Sequence, residues 1–262
     1  MPLTRVVLLA AATSLALASP ATCGGGSVAP VALAMDPAGN AVFEPGETAV
    51  MAPTWRNAFN PATLGGATSS FTGPAGAVYA NPDTTANYGL LPMFGAGSCL
   101  ATGDCYTVRV TAATRPATHW DSTIVEFVNG VYFTWTLHIG ASFTDVSTSS
   151  GFYRFIETIL HKGVTGGCTA TAYCPTASTT REQMAVFVLR TLDPALNPPA
   201  CGTPMFADVP ASSPFCRWIE ELARRGVVTG CGGGNYCPTA NVSREQMAVF
   251  LAVTFGLTLY GL

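Results

Sequence analysis

Cysteine is the residue type whose spacing most clearly allows chemistry in this chain. Nine cysteines are present, and three pairs of them are each separated by five intervening residues. Because Cys23 stands apart near the start, the remaining eight can form four disulfide bonds. Each bond would close a short loop and stabilise the fold by about 2–3 kcal/mol. The predicted pairs are Cys99 with Cys105, Cys168 with Cys174, Cys231 with Cys237, and Cys201 with Cys216.

A metal site is the alternative use of these residues, and their spacing does not favour it. Zinc sites usually combine ligands two to four residues apart with nearby histidines. Only His119, His138 and His161 are available to this chain. We therefore predict no metal site and no cofactor.

Catalytic chemistry has one weak candidate, the segment His119-Trp120-Asp121. Its histidine could act as a base oriented by the neighbouring acid, but no spacing places a nucleophile beside them. The chain also lacks the Gly-x-Ser-x-Gly, His-Glu-x-x-His and phosphate-loop motifs. We predict that the protein is not an enzyme.

The low charge of the chain limits its partners. Only 10% of residues are charged, the formal net charge is -3, and the 12 lysines and arginines form no cluster. Because nucleic-acid binding needs clustered basic residues, we expect no nucleic-acid partner. A glycan or another protein is the expected partner.

The two ends of the chain carry the longest apolar runs. Residues 1–21 have the charge, apolar core and small residues of a secretory signal. Cys23, followed by three glycines, leaves lipidation open, in which case the protein would contact a membrane. The uncharged run at 247–262 is shorter than a membrane span, so we expect a buried helix there.

Residues 22–142 are predicted to form a β-sandwich domain. Glycine, proline, serine and threonine separate short β-branched and aromatic runs, as in all-β domains. Within 131–139 the odd positions are apolar and several even ones are polar, which indicates a strand with one buried face. Alternation at 106–111 places Arg109 outward, and weaker strand candidates lie at 48–55 and 28–35.

The C-terminal half contains one module twice. Residues 143–191 recur at an offset of 63 as residues 206–254, with 26 of 49 positions identical and no gap. Both copies contain Phe-x-Asp-Val, Tyr-Cys-Pro-Thr-Ala and Arg-Glu-Gln-Met-Ala-Val-Phe. We divide this half into repeat 1 at 143–192, a proline-rich linker at 193–205 and repeat 2 at 206–262.

Each repeat is predicted to be mainly helical, with a helix, a loop and a second helix. Gly163 and Gly226 end the first helices. Thr180 with Gln183, and Ser243 with Gln246, form capping boxes that begin the second helices. The expected buried stripe of the first helices is Phe152, Phe155, Ile156, Ile159 and Leu160 in repeat 1, and Phe215, Trp218, Ile219, Leu222 and Ala223 in repeat 2. That of the second helices is Met184, Phe187 and Val188, or Met247, Phe250 and Leu251.

The start of the sandwich resembles bacterial extracellular immunoglobulin-like domains. The resemblance rests on Asp36-x-x-x-Asn40-x-x-x-Glu44-Pro45-Gly46-Glu47, followed by a strand and Arg56-Asn57. It implies an antiparallel sandwich used for display or adhesion. The oxygens of Asp36, Asn40 and Glu44 could bind calcium, although turn chemistry explains these residue types as well.

The duplicated motifs resemble the S-layer homology module. Three such modules usually build a head whose grooves bind cell-wall polysaccharide, which implies that role here. The family's Thr-Arg-Ala-Glu motif carries the key arginine, and it maps onto Arg181 and Arg244. An arginine beside the free amides of a helix start suits an anionic sugar substituent. Glu182, Glu245 and Trp218 are further candidate glycan contacts, although Trp218 also fits the apolar stripe.

Three functions follow from this sequence. The first is a secreted, noncatalytic envelope protein whose repeats attach a sandwich to surface polysaccharide. The second is a structural or protein-interaction module, in which a homo-oligomer could supply the missing third repeat. The third is the C-terminal targeting part of a secreted hydrolase system.

Overall fold

The computed structural model describes residues 28–256, except for the side chain of Arg244. The predicted signal segment, Cys23 and the last six residues lie outside the described part of the chain. Within 28–256, no helix is both long and apolar enough to cross a membrane.

Residues 28–138 form nine antiparallel strands in two sheets. The first sheet has the order β1-β2-β7-β4, with β6 also paired to β2, and the second has the order β5-β3-β8-β9. The strands are β1 Val28–Met35, β2 Thr48–Asn57, β3 Ala62–Thr72, β4 Ala77–Asp83, β5 Thr85–Leu91, β6 Ala96–Ser98, β7 Tyr106–Ala112, β8 Asp121–Val128 and β9 Val131–His138. This all-β sandwich confirms the predicted class of the N-terminal half.

Alternating side chains fix the strand faces as the sequence predicted. In β9, Trp135 and Leu137 are buried while Thr134 and Thr136 are exposed. Arg109 of β7 is exposed between two buried valines. The β8–β9 hairpin turns at Asn129-Gly130, where both residues have positive φ, a combination that favours an asparagine-glycine turn.

The sandwich core contains a buried carboxylate that the sequence did not reveal. Glu126 is fully buried and accepts hydrogen bonds from Trp55 Nε1 at 3.1 Å and Trp135 Nε1 at 2.6 Å. Tyr106 and Tyr88 donate their hydroxyl protons to its other oxygen. Four donors therefore satisfy a group that would otherwise be costly to bury. Burial raises the pKa of both tyrosines, which keeps them as donors.

Between residues 143 and 256 the repeats contain four helices: α1 Tyr153–His161, α2 Arg181–Leu192, α3 Cys216–Arg224 and α4 Arg244–Thr254. Both predicted capping boxes are present, at Thr180 and at Ser243. Gly163 and Gly226 follow α1 and α3 with positive φ, as expected for helix ends. The helices are 9 to 12 residues long and loops fill much of each repeat, so the description "mainly helical" is not confirmed.

Two positions of the predicted apolar stripes are wrong in repeat 1. Phe152 is 73% exposed and Phe155 is 68% exposed. The buried face of α1 is instead made by Tyr153, Ile156, Glu157 and Leu160, because this helix packs beside Val42 at the end of the sandwich. In repeat 2 the stripe of α3 is buried as predicted at Trp218, Ile219 and Leu222.

The predicted stripe of α4 is also partly wrong. Phe250 is buried, but Leu251 is 40% exposed. Its counterpart in α2, Val188, is buried because α2 packs against both α3 and α4. The second helix of repeat 1 therefore belongs to the core of repeat 2.

All four predicted disulfide bonds are present. They join Cys99 to Cys105, Cys168 to Cys174, Cys201 to Cys216 and Cys231 to Cys237.

Candidate functional site: the repeats and their junction with the sandwich

The Phe-x-Asp-Val motif holds the cysteine loop in each repeat. Asp145 accepts hydrogen bonds from the backbone amides of Tyr173 and Cys174, both at 2.8 Å. Asp208 does the same for Tyr236 and Cys237, at 2.8 and 2.7 Å. The Tyr173 and Cys174 amides outweigh desolvation and hold the pKa of Asp145 below its usual value. The two motifs recur together because one is the hydrogen-bond acceptor of the other.

The start of α2 is closed by a loop of repeat 2. The amide of Arg181 donates to the carbonyl of Ala240 at 2.9 Å, and that of Glu182 donates to Pro238 at 3.0 Å. In the other direction, Val242 donates to Thr179 at 3.0 Å. The unpaired amides that we expected beside Arg181 are therefore already used within the protein, and this premise for anion binding fails at α2.

The side chain of Arg181 also points into the protein. The residue is 7% exposed, and its Nε donates to the carbonyl of Tyr236 at 2.9 Å. Its guanidinium lies 4.8 Å from the ring centre of Tyr236 and 5.9 Å from that of Phe250. These contacts give Arg181 a role in joining the repeats.

The other predicted glycan contacts with described side chains lie on three different helices. Glu182 is half-buried at the start of α2, and desolvation raises the pKa of its carboxyl. Glu245 is exposed at the start of α4 and accepts a hydrogen bond from the Ser243 hydroxyl at 3.3 Å. Trp218 is buried on α3.

Trp218 lines a cleft of about 470 Å³ where both repeats meet the sandwich. The guanidinium of Arg190 lies 5.2 Å from the Trp218 ring centre, and its Nη1 donates to Gly163 at 2.9 Å. Within the described part of the chain, the buried Nε of Arg190 has no hydrogen-bond partner. The remaining walls come from Thr118, His119, Leu160, Val164, Thr165, Gly166 and Val186.

All three histidines of the chain meet beside this cleft. His119 Nε2 lies 3.2 Å from Asp121 Oδ2. His138 Nδ1 and His161 Nδ1 lie 3.0 and 3.2 Å from Asp121 Oδ1. The other ring nitrogen of His138 lies 2.9 Å from the buried carboxylate of Glu157. The sandwich and α1 are thus joined through one polar network.

The charges of this network shift its pKa values. Burial would raise the pKa of Asp121, but hydrogen bonds from His138 and His161 outweigh it and lower the pKa below its usual range. Burial would lower the pKa of His138, but hydrogen bonds to Asp121 and Glu157 outweigh burial and raise this pKa. Burial would raise the pKa of Glu157, but hydrogen bonds from His138 and Ser142 stabilise the carboxylate and lower this pKa.

Sequence reasoning missed this network because its members are separated by up to 42 positions. It did pair His119 with Asp121. The remaining signal was that every histidine of the chain falls between residues 119 and 161. Arg190 was missed for another reason, since the equivalent position in repeat 2 is Val253 and the residue is absent from the shared motifs.

The fold and these contacts define a modular protein in which a β-sandwich is joined to two interlocked repeats that each contain two helices. The model of the S-layer homology domain matches residues 142–185 and 206–248. These segments are S-layer homology repeats, which mark proteins associated with the cell surface.

One curated relative is similar in the region of the repeats. It is an endoglucanase of Bacillus sp. (strain KSM-635), 33% identical over 106 residues. The similarity covers 40% of this chain and 11% of that protein.

Proposed function

We propose that the two S-layer homology repeats attach the sandwich domain to polysaccharide of the cell envelope and that the protein catalyses no reaction. S-layer homology domains are noncatalytic anchoring modules, and both repeats are matched by the family. The low charge of the chain is compatible with a glycan partner.

The cleft at Arg190 and Trp218 is the observation that carries this proposal. Its volume of about 470 Å³ lies within the roughly 300–1,000 Å³ of typical small-ligand sites. Its wall combines a guanidinium, two threonines and apolar side chains, which suits a sugar with hydroxyl groups on an apolar ring.

The residues predicted from the family motif remain proposed polysaccharide contacts, and one of them also has a structural role. Arg244, Glu182 and Glu245 remain proposed polysaccharide contacts at the starts of α2 and α4. Arg181 remains one too, but its contacts with Tyr236 mean that its substitution changes the fold as well as any binding.

Co-sedimentation of the purified chain with cell-wall preparations tests the proposal. We expect wild-type protein to sediment with the walls and Arg190→Ala to bind at least tenfold more weakly while staying folded. Arg109→Ala, on the exposed face of β7, is the matched control and should bind like wild type. Equal binding by Arg190→Ala and wild type would remove the cleft from the proposal.

Protein association is a second candidate function, and α4 favours it. Val249, Leu251 and Val253 are exposed on this helix, whereas Val188 and its neighbours on α2 are covered by repeat 2. A second copy of the chain could cover α4 as repeat 2 covers α2, which would complete a third repeat. Binding to purified protein fractions in place of walls would support this function.

The hydrolase alternative is favoured only by the name of the endoglucanase relative. Because the similarity covers 11% of that protein, its activity cannot be assigned to this chain. A glycoside-hydrolase screen of the pure chain should be negative, and turnover that survives repurification would overturn the noncatalytic proposal.

A further inference from the structure

The geometry points to a zinc site formed by His119, Asp121, His138 and His161, which joins the β-sandwich to repeat 1. The sequence prediction of no metal would then be wrong, because the ligands are assembled by the fold and not by local spacing.

The four side chains come from three parts of the structure. His119 precedes β8, Asp121 begins β8, and His138 ends β9. The antiparallel pairing of β8 with β9 places Asp121 directly opposite His138. His161 ends α1 and approaches the same carboxylate from repeat 1. The segment before β8, the end of β9 and the end of α1 therefore bring three imidazoles to one carboxylate.

Their separations suit a tetrahedral ion. Two ligand atoms bound at roughly 2.0–2.1 Å to a tetrahedral zinc are about 3.3 Å apart. His138 Nδ1 and His161 Nδ1 lie 3.0 and 3.2 Å from Asp121 Oδ1, and His119 Nε2 lies 3.2 Å from Asp121 Oδ2. All four candidate ligand atoms lie within 4.8 Å of one another. Small side-chain movements would bring them to bonding distance.

A buried carboxylate supports the ligand His138 from behind. The Nε2 of His138 lies 2.9 Å from Glu157 Oε2. The Nδ1 of His138 can therefore face the ion while the proton stays on Nε2. Glu157 is itself held by the amide of Ser142 at 2.9 Å and by the Ser142 hydroxyl at 2.7 Å. The second nitrogen of a metal-bound histidine usually donates to a carboxylate, a backbone carbonyl or water, which fixes the ring and its tautomer.

The ligand set indicates the class of metal and its role. Three imidazoles and one carboxylate suit zinc better than calcium or magnesium, which prefer oxygen ligands. Four protein ligands fill a tetrahedral shell, as in structural sites. The ion would therefore stabilise the contact between sandwich and repeat 1.

Two further groups of possible metal ligands contain cysteines, and neither is a competing zinc site. Cys201 and Cys216 near Glu220, and Cys231 and Cys237 near Asp208, are already joined as disulfides. A disulfide lacks the thiolates that zinc binds.

Zinc titration of the full-length chain, produced without a polyhistidine tag and stripped with a chelator, tests the site. Calorimetry should give one Zn²⁺ per chain with micromolar or tighter affinity, and Zn²⁺ should raise the melting temperature. His161→Ala and His119→Asn should each weaken binding at least 100-fold and remove the thermal shift. Glu157→Gln should weaken it by about 10- to 100-fold.

The outcomes separate a metal site from a hydrogen-bonded network. Asp104→Asn is a control for a surface carboxylate away from the cluster, and it should bind zinc like wild type. If His161→Ala fails to fold, His119→Asn decides, because His119 is mostly outside the core. Failure of folded wild-type protein to bind Zn²⁺ at 100-fold molar excess, or unchanged binding by His119→Asn, would overturn the inference.

Discussion

Arg181 and Tyr236 exchange two hydrogen bonds across the boundary between the repeats. The Nε of Arg181 donates to the carbonyl of Tyr236, and the hydroxyl of Tyr236 donates to the carbonyl of Arg181, both at 2.9 Å. The motif arginine of repeat 1 is thus held by the motif tyrosine of repeat 2. The two repeats therefore depend on each other for packing.

Arg181→Ala should destabilise both repeats together. It removes a buried hydrogen bond and the stacking with Tyr236, which we expect to cost about 2–3 kcal/mol. Tyr236→Phe removes only the reciprocal bond and should cost about 1 kcal/mol. Urea unfolding followed by tryptophan fluorescence measures both. Arg154→Ala, on the exposed side of α1, is the control, and equal stability of Arg181→Ala and this control would contradict the contact.

Asp145 should make the first cysteine loop sensitive to acid. Its folded pKa is lowered, so its contribution to stability is fully present above the unfolded pKa, about 4, and is lost as pH falls through the folded value. Amide exchange at Tyr173 and Cys174, measured by NMR, should accelerate in that range. In Asp145→Asn the exchange should already be fast at neutral pH, and slow exchange there would refute the assignment.

The disulfides should differ in their effect on stability. Cys201 and Cys216 are 15 positions apart, whereas Cys99 and Cys105 are 6 apart. The loop-entropy estimate gives about 3 kcal/mol for the former and about 2 kcal/mol for the latter. Paired alanine substitutions, compared by thermal unfolding, should rank in this order. Cys216 and Cys99 are both buried, so burial does not alter this order, and a reversed order would contradict the loop-entropy ranking.

Self-association should depend on the exposed side of α4. Leu251→Ser should shift any dimer or larger assembly towards monomer, because it removes apolar contact area from this helix. Light scattering over a range of concentrations measures the shift. Val78→Ser, an exposed valine on β4, provides the comparison. If the two variants associate alike, α4 is not the interface.

Local rules were enough to predict several elements. The end of β1 at Met35 agrees with the predicted 28–35 segment, since a turn begins at Asp36. The helix caps at Thr180 and Ser243 could be predicted from the sequence because a capping box spans only four residues. The disulfides were readable because a repeated spacing left few pairings.

Contacts between distant segments could not be read from the sequence. The exposure of Phe155 follows from where α1 docks, and the burial of Arg181 follows from a loop 55 positions away. Charged residues are seldom fully buried, and the burial of Glu126 depends on four donors from separate strands that surround its carboxylate. These features depend on tertiary packing, which overrides local pattern.

Binding to walls with and without their attached polysaccharide tests the anchoring function most directly. Labelled full-length protein should bind intact walls and protease-treated walls equally, and should lose binding when the polysaccharide is chemically released. Binding that survives removal of the polysaccharide, or that protease treatment abolishes, would contradict attachment through a glycan.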